Sequence, residues 1–214
     1  MSESIFDVTM VEMPTVLPVL PFAGTFLFPG QKLQLRIFET RYIRLIFNAL
    51  ASSRIVAMLQ PVDKVSTEDK PKLYSVGCAG RISSFAEAEN NLLLITLTGL
   101  SRFRVVKEID SSYQTYRTVT ADYSDFAHDL NPEAFKFDRR SLFAKLDTFA
   151  YSNKIDLNSA LLKNVPDSAL MASLASMLPF ETAEKQALLE CNTPQKFYNT
   201  LMMLLDMSCG SKTN

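Results

Sequence analysis

The spacing of apolar residues changes near Phe126, and this change limits the folds open to a chain of 214 residues. Before it, Leu33, Leu35 and Ile37 alternate with polar residues, as in a half-buried strand. After it, apolar residues recur at helical spacing, as at Leu170 and Leu174. The pattern predicts an α+β fold: a β-rich subdomain over 1–125 with one inserted helix, followed by an all-helical subdomain over 126–214.

Local signals place the predicted elements. Val16–Leu20 lies among prolines and is predicted as an edge strand, where a missing backbone donor does little harm. Glu39 opens the inserted helix, and Thr193 with Pro194 opens the last one. The inserted helix is expected to bury Ile43, Ile46, Phe47 and Leu50, and Phe22, Phe85 and Phe103 are expected in the β core. Further strands are predicted at 33–37, 55–60, 75–85, 91–99, 101–109 and 115–123, and further helices at 135–152, 158–163, 168–178 and 181–191.

Charge and composition exclude several classes of partner. Acidic and basic residues number 23 and 22, so the chain lacks the basic stripe of a duplex-binding protein, and nucleic acid is not expected as its main partner. No apolar run is long enough to cross a membrane. The amino terminus has no apolar core typical of a secretory signal, so a cytoplasmic location is expected.

No set of residues predicts an enzyme, a metal site or a cofactor site. His128 is the only histidine, and the three cysteines, Cys78, Cys191 and Cys209, are far apart, which favours neither a zinc site nor a disulfide framework. A serine and a lysine lie one helical turn apart at Ser141 and Lys145, but on a polar helix face. A nucleophilic Ser-Lys pair needs a desolvated lysine, so we expect no catalysis there.

Three sequence blocks carry a family resemblance. They are PFAGTFLFPGQKLQLRIFETRY at 21–42, YSVGCAGRI at 74–82 with LLLITLTGLSRFRV at 92–105, and a helical block at 174–205. Together they resemble the amino-terminal, substrate-binding domain of Lon proteases. The resemblance implies a PUA-like β pseudo-barrel followed by a helical bundle. Full-length Lon continues into an ATPase module and a Ser-Lys protease, whereas this chain stops at residue 214, so a stand-alone form is expected.

The resemblance also implies a function without catalysis. We expect a protein-binding module that recognises unfolded or degron-like polypeptides in an apolar cleft between the subdomains. Such a module would serve as an adaptor or modulator of an ATP-dependent protease, and it would form at most a weak homodimer. The alternative is an RNA-binding PUA-like protein, against which the near-neutral charge counts.

Six residues are candidates for binding polypeptide, and each has a structural alternative. Phe26 and Phe28 lie in a loop bounded by glycine and proline, where an exposed handle and a buried staple are both open. The strand arginines, including Arg81 and Arg102, suit either an acidic peptide or a solvated sheet face. Methionines in the helical half are either adaptable anchors or core, and the two candidates are Met171 and Met177.

Overall fold

The computed structural model describes residues 12–63, 70–89, 92–109, 115–131, 135–157 and 162–210. The chain forms two compact units, Met1–Asn131 and Pro132–Asn214. The boundary lies six residues beyond the one expected at 125/126, because the segment after the last strand bonds to the β unit. The first unit contains β1 (Val16–Leu20), β2 (Lys32–Ile37), α1 (Thr40–Leu50), β3 (Ile55–Met58), β4 (Val76–Ala88), β5 (Leu92–Ile109), β6 (Thr118–Asp122) and a 3-10 helix (Ser124–Asp129).

The sheet of the first unit closes on itself. Its strand order is β2-β5-β4-β3-β1-β6, and β6 also pairs with β5. Closure depends on β5, which is 18 residues long. Residues 93–98 of β5 pair with β2, and residues 104–109 pair with β6. Two separate strands were expected here, at 91–99 and 101–109. One continuous strand forms instead, and a register shift next to Gly80 on β4 accommodates the bend.

The prediction that β1 is an edge strand is wrong. β1 runs parallel to β3 and antiparallel to β6, so it has a neighbour on each side. Its position between β3 and β6 makes β1 an interior strand, and closure through the β5–β6 pairing covers the edge that β6 would have in an open sheet. Pro18 lies opposite Thr118, and the next residue, Val19, donates its N–H to the Arg117 carbonyl at 2.9 Å. The ladder to β6 therefore resumes immediately after the proline.

Alternate residues of the strands fill the barrel. Leu17, Val19, Ala79, Phe103 and Val119 are among the buried residues of this core. Helix α1 presents Tyr42, Leu45, Ile46 and Ala49 to the interior. Phe47, expected on that face, is instead exposed, because the buried stripe is rotated by about one residue from the expected one.

The second unit is helical, as the spacing predicts. It contains α2 (Arg139–Asn153), α3 (Asp167–Met177), α4 (Thr182–Leu189) and α5 (Pro194–Gly210). The predicted cap of α5 is present, since the Lys196 N–H donates to Thr193 Oγ1 at 3.2 Å. The first helix begins at Arg139 rather than at residue 135, capped by Asp138, which accepts from the Ser141 N–H at 3.1 Å. Most of the short helix expected at 158–163 lies outside the described residues.

Candidate polypeptide-binding site

The loop that carries Phe26 and Phe28 belongs to the core. Phe28 has no exposed side-chain surface and Phe26 only 8%, and their rings stack with centroids 6.4 Å apart. The Gly30 N–H donates to the Gly99 carbonyl, and the Gly99 N–H donates to the Gln31 carbonyl, each at 2.9 Å. Of the two alternatives for these phenylalanines, the structure has the buried staple. Neither ring lies at the rim of a binding surface.

Two glycines explain why this loop packs so closely on the barrel. Gly80 and Gly99 face each other on β4 and β5. A Cβ atom on Gly99 would lie 2.1 Å from the Phe28 carbonyl oxygen, and one on Gly80 would lie 2.5 Å from Leu27 Cδ2. The absence of side chains at these positions leaves the space that the loop occupies. Gly80 and Gly99, which belong to the second sequence block, therefore leave room for the loop of the first block to pack against the barrel.

Gln60, which the sequence did not single out, ties the same loop to the barrel. Its side chain is buried, and its amide oxygen accepts from the Gly24 N–H at 2.8 Å. The amide nitrogen donates to the carbonyl of Phe22 at 3.0 Å and also to that of Thr25. A glutamine at the end of a strand looks like a surface residue in a sequence. The only signal for its burial is that it continues the apolar run of β3.

Arg102 forms a buried ion pair, and the expectation of a binding or solvated arginine is wrong at this position. The side chains of Arg102 and Asp129 are only 6% and 5% exposed. Arg102 donates to Asp129 from Nε at 2.9 Å and from Nη2 at 2.7 Å, and its guanidinium lies over the Phe126 ring. His128 Nε2 lies 3.1 Å from Arg102 Nη2. The group locks the 3-10 helix onto β5 and offers no surface to a ligand.

The other three candidates differ in exposure. Arg81, on β4, is partly exposed. Met171 is buried inside α3, so for it the core alternative holds, whereas Met177 at the end of the same helix is 57% exposed. Arg81 belongs to the first unit and Met177 to the second. Only these two of the six candidates reach solvent.

Two cavities of the first unit share the ion pair between Arg117 and Glu108. Arg117 donates to Glu108 through Nε at 2.7 Å and Nη2 at 2.6 Å, and its Nη1 donates to the Pro71 carbonyl at 2.6 Å. One cavity, of about 330 Å³, is lined by Leu59, Lys72, Leu73, Tyr74, Ser75, Val105, Glu108, Arg117 and Val119. The other, of about 280 Å³, lies at the start of α1 and includes Arg41, Tyr42, Lys70 and Tyr116 in its lining.

Glu108 and Tyr42, which line these cavities, each keep one protonation state at neutral pH. The hydrogen bonds from Arg117 lower the pKa of Glu108 below its ordinary value of 4.5, so this carboxylate is ionised at neutral pH. Burial raises the pKa of Tyr42, so its hydroxyl stays protonated. Sequence reasoning did not identify Arg117 or Glu108, because Arg117 directly precedes β6 and only the pairing of β5 with β6 brings it next to Glu108.

Several exposed apolar side chains lie outside these cavities. Phe38, between β2 and α1, is 72% exposed, and Phe85 and Leu94 on β4 and β5 are also exposed. Phe85 was expected in the β core. It lies in the part of β4 beyond the residues that pair with β3, where among the described strands only β5 is a neighbour. The hairpin extends past the barrel there, and so Phe85 has less to pack against.

Among the described residues, no group of three or more histidine, cysteine, aspartate or glutamate side chains has the arrangement needed to hold a metal ion. None of the described helices combines the length and the apolar character that crossing a membrane requires. Cys78 and Cys191 are both buried, and they form no disulfide with each other.

The closed barrel followed by a helical unit defines an α+β domain built like the amino-terminal domains of Lon proteases. The fold resembles the crystal structure of the Lon N-terminal domain protein from Xanthomonas campestris, with a TM-score of 0.63, 20% identity and coverage of 88% of this chain and 98% of that one. The N-terminal domain of Mycobacterium avium complex Lon protease also gives a TM-score of 0.63, at 17% identity, covering 92% and 99% of the two chains.

The chain belongs to the family of the ATP-dependent protease La (LON) substrate-binding domain, whose model matches residues 16–206. Relatives include the Lon protease of Bacillus thuringiensis (strain Al Hakam), 24% identical over 196 residues, and that of Syntrophus aciditrophicus (strain SB), 25% identical over 193 residues. These matches cover 89% and 86% of this chain and 24% of each protease. The chain thus spans about a quarter of the length of these relatives.

Proposed function

We propose that this protein is a non-catalytic module that binds unfolded or degron-like polypeptides and acts as an adaptor or modulator of an ATP-dependent protease. The observation that carries the proposal is the family match, because the model of the Lon substrate-binding domain extends over both units of the chain. The relatives that share this region are Lon proteases, so their substrates are proteins.

The larger cavity supports binding of polypeptide. Leu59, Leu73, Val105 and Val119 give it apolar walls, while Lys72, Ser75, Glu108 and Arg117 supply polar groups around them. A site that is mostly apolar with a few fixed polar groups suits an apolar side chain whose backbone needs hydrogen bonds. An unfolded polypeptide exposes such side chains, whereas a native protein buries most of them. The cavity therefore favours unfolded chains over folded ones.

The test fills this cavity without removing any of its walls. Ser75 lines the cavity and is exposed, so Ser75→Trp places an indole in the space that a ligand side chain would occupy. Ser84→Trp is the matched control, since Ser84 is an exposed residue of β4, the strand that begins after Ser75, and lines neither cavity. Both variants add the same apolar surface, one at Ser84 on β4 and the other at Ser75, the residue before β4. Only one of them blocks the proposed site.

Binding is measured by fluorescence anisotropy of a labelled, permanently unfolded protein, beside its native form and a single-stranded RNA. We expect the wild-type chain to bind the unfolded form with a dissociation constant near micromolar, which corresponds to about −8 kcal/mol. Ser75→Trp should weaken this binding at least tenfold, while Ser84→Trp should not. Equal affinity for the native form, preference for RNA, or equal loss in both variants would contradict the proposal.

The adaptor role needs a separate measurement. The chain is added to an ATP-dependent Lon protease that is degrading the same unfolded substrate, and the rate of degradation is followed. A change in rate that Ser75→Trp abolishes and Ser84→Trp retains would support the role. An unchanged rate at chain concentrations above the dissociation constant would contradict it.

A further inference from the structure

The smaller cavity, at the start of α1, is lined by three cationic side chains and one carboxylate. The cations are Arg41, Lys70 and Arg117, and the carboxylate is Glu108. We propose that this cavity binds a carboxylate of the captured polypeptide, supplied either by its carboxyl terminus or by an aspartate or glutamate side chain. The inference rests on the proposed function and specifies which polypeptides the protein prefers.

Arg41 supplies the first donor for such a carboxylate. It bonds to one oxygen of Glu39 through Nε at 2.9 Å and Nη2 at 2.8 Å, and its guanidinium lies 4.7 Å from the centroid of the Tyr42 ring. These contacts leave Nη1 without a partner among the described residues. The side chain is 41% exposed, so the guanidinium meets a ligand without moving out of the core. Arginine pairs with a carboxylate through charge-assisted hydrogen bonds, which are stronger than neutral ones.

Tyr116 supplies the second donor. Its hydroxyl oxygen accepts a hydrogen bond from Asn48 Nδ2 at 2.9 Å. Because that bond occupies a lone pair of the oxygen, the hydroxyl hydrogen is left to donate. Tyr116 lines the same cavity as Arg41. The cavity thus presents two donors that a carboxylate, which only accepts hydrogen bonds, would satisfy together.

Glu108 does not cancel the preference of the cavity for a carboxylate. Both of its oxygens accept from Arg117, so this acid and this base neutralise each other. Arg41 is in turn paired with Glu39, so with Glu39 included the charged groups here are three cations and two carboxylates. Arg41 and Tyr42 also belong to the first turn of α1, where the helix dipole favours a negative group. The charged groups at the cavity thus sum to one positive charge, although the whole chain carries a net charge of −1.

The rest of the lining indicates which residue lies next to the carboxylate. Pro21 and Ile109 contribute apolar surface to the same cavity. An apolar residue beside the acidic group would pack against them while the carboxylate meets the donors. A single carboxylate matches the one excess positive charge at the cavity, whereas a run of phosphates would bring several negative charges to it.

The test compares three peptides of one apolar sequence with the full chain, by fluorescence anisotropy. The first peptide has a free carboxyl terminus, the second is amidated, and the third is amidated but has one internal glutamate. The first or the third should bind at least tenfold more tightly than the second, and which of the two does so identifies the source of the carboxylate. Equal binding of all three, or displacement of the best peptide by a short RNA at lower concentration than by the free peptide, overturns the proposal.

Three variants test whether the preference for an acidic peptide arises in this cavity. Arg41→Gln should reduce the advantage of the acidic peptide to less than threefold, whereas Arg36→Gln, an exposed arginine of β2 that lines neither cavity, should retain it. Glu39→Gln also breaks the ion pair of Arg41 but keeps the guanidinium, so the advantage should persist. If Glu39→Gln abolishes it as Arg41→Gln does, the effect is structural and the proposal fails. Binding of the unfolded protein itself, measured in parallel, shows separately whether the proposed function holds.

Discussion

The buried ion pair between Arg102 and Asp129 gives a sharp prediction about stability. Replacing Asp129 by alanine removes both oxygens to which Arg102 donates and also the acceptor of the Arg102 backbone N–H, which lies 2.8 Å from Oδ2. The guanidinium, with only 6% of its side chain exposed, then loses both carboxylate oxygens that compensate its charge. Breaking a buried pair in this way costs about 3–5 kcal/mol. That is a large part of the roughly 5–15 kcal/mol by which domains are stable.

A neighbouring ion pair provides the control. Arg104 and Asp125 come from the same strand and the same 3-10 helix as Arg102 and Asp129, but their side chains are 47% and 41% exposed. Water solvates both charges after one is removed, so Asp125→Ala should cost only about 0–1 kcal/mol. The two variants differ mainly in the burial of the pair they break.

The assay is urea unfolding followed by circular dichroism, with hydrogen exchange of β5 peptides to assign the change to the first unit. Asp129→Ala should lower the free energy of unfolding of that unit by about 4 kcal/mol and its melting temperature by roughly 10 °C. The double variant Arg102→Met with Asp129→Leu should recover most of the loss, since no buried charge remains. If Asp129→Ala costs no more than Asp125→Ala, the reasoning from burial is wrong. If the double variant is as unstable as the single one, packing rather than charge explains the loss.

Three other predictions concern a glycine, a thiol and an acid. Gly99→Ala should destabilise the first unit by at least about 2 kcal/mol in a urea titration, because its Cβ would lie 2.1 Å from the Phe28 carbonyl oxygen; a loss near zero would contradict this. Burial raises the pKa of the Cys78 thiol. In a variant that lacks the other cysteines, Cys78 should therefore react with a disulfide reagent at pH 8 only after urea is added. Rapid reaction of the folded chain would contradict the burial of this thiol. The pKa of Glu108 is lowered in the folded state, so its pairing with Arg117 stabilises the fold above the ordinary glutamate pKa of 4.5, and this contribution is lost as the pH falls below that value. Arg117→Gln should therefore make the free energy of unfolding less dependent on pH between neutral and acid. An unchanged pH profile would argue against the pair.

The sequence predicted much of the fold because several of its signals are local. The alternation in β2 and the cap of α5 each depend on a few adjacent residues, and both have the expected structure. The length of β5 could not be predicted in the same way. Gly99 resembles the end of a strand in the sequence, whereas in the structure it leaves room for the Phe28 loop within a continuous strand.

The candidate site was much less predictable. The exposure of Phe28 and Phe85 could not be read from their neighbours: for Phe28 a buried and an exposed position were both open and it is fully buried, whereas Phe85 was expected in the core and is exposed. The two cavities depend on the pairing of β5 with β6 and on the approach of α1. These contacts join residues as far apart as Asn48 and Tyr116, for which the sequence carries no joint signal.

The sequence by itself determined the fold class, the change from strands to helices and the family to which the chain belongs. Only the tertiary structure decided which side chains meet solvent. Arg102 and Arg104 illustrate the reason. Period-two spacing places both arginines on one face of β5, but a helix more than twenty residues away covers one and leaves the other exposed. Spacing fixes the direction of a side chain, whereas burial depends on what packs against it.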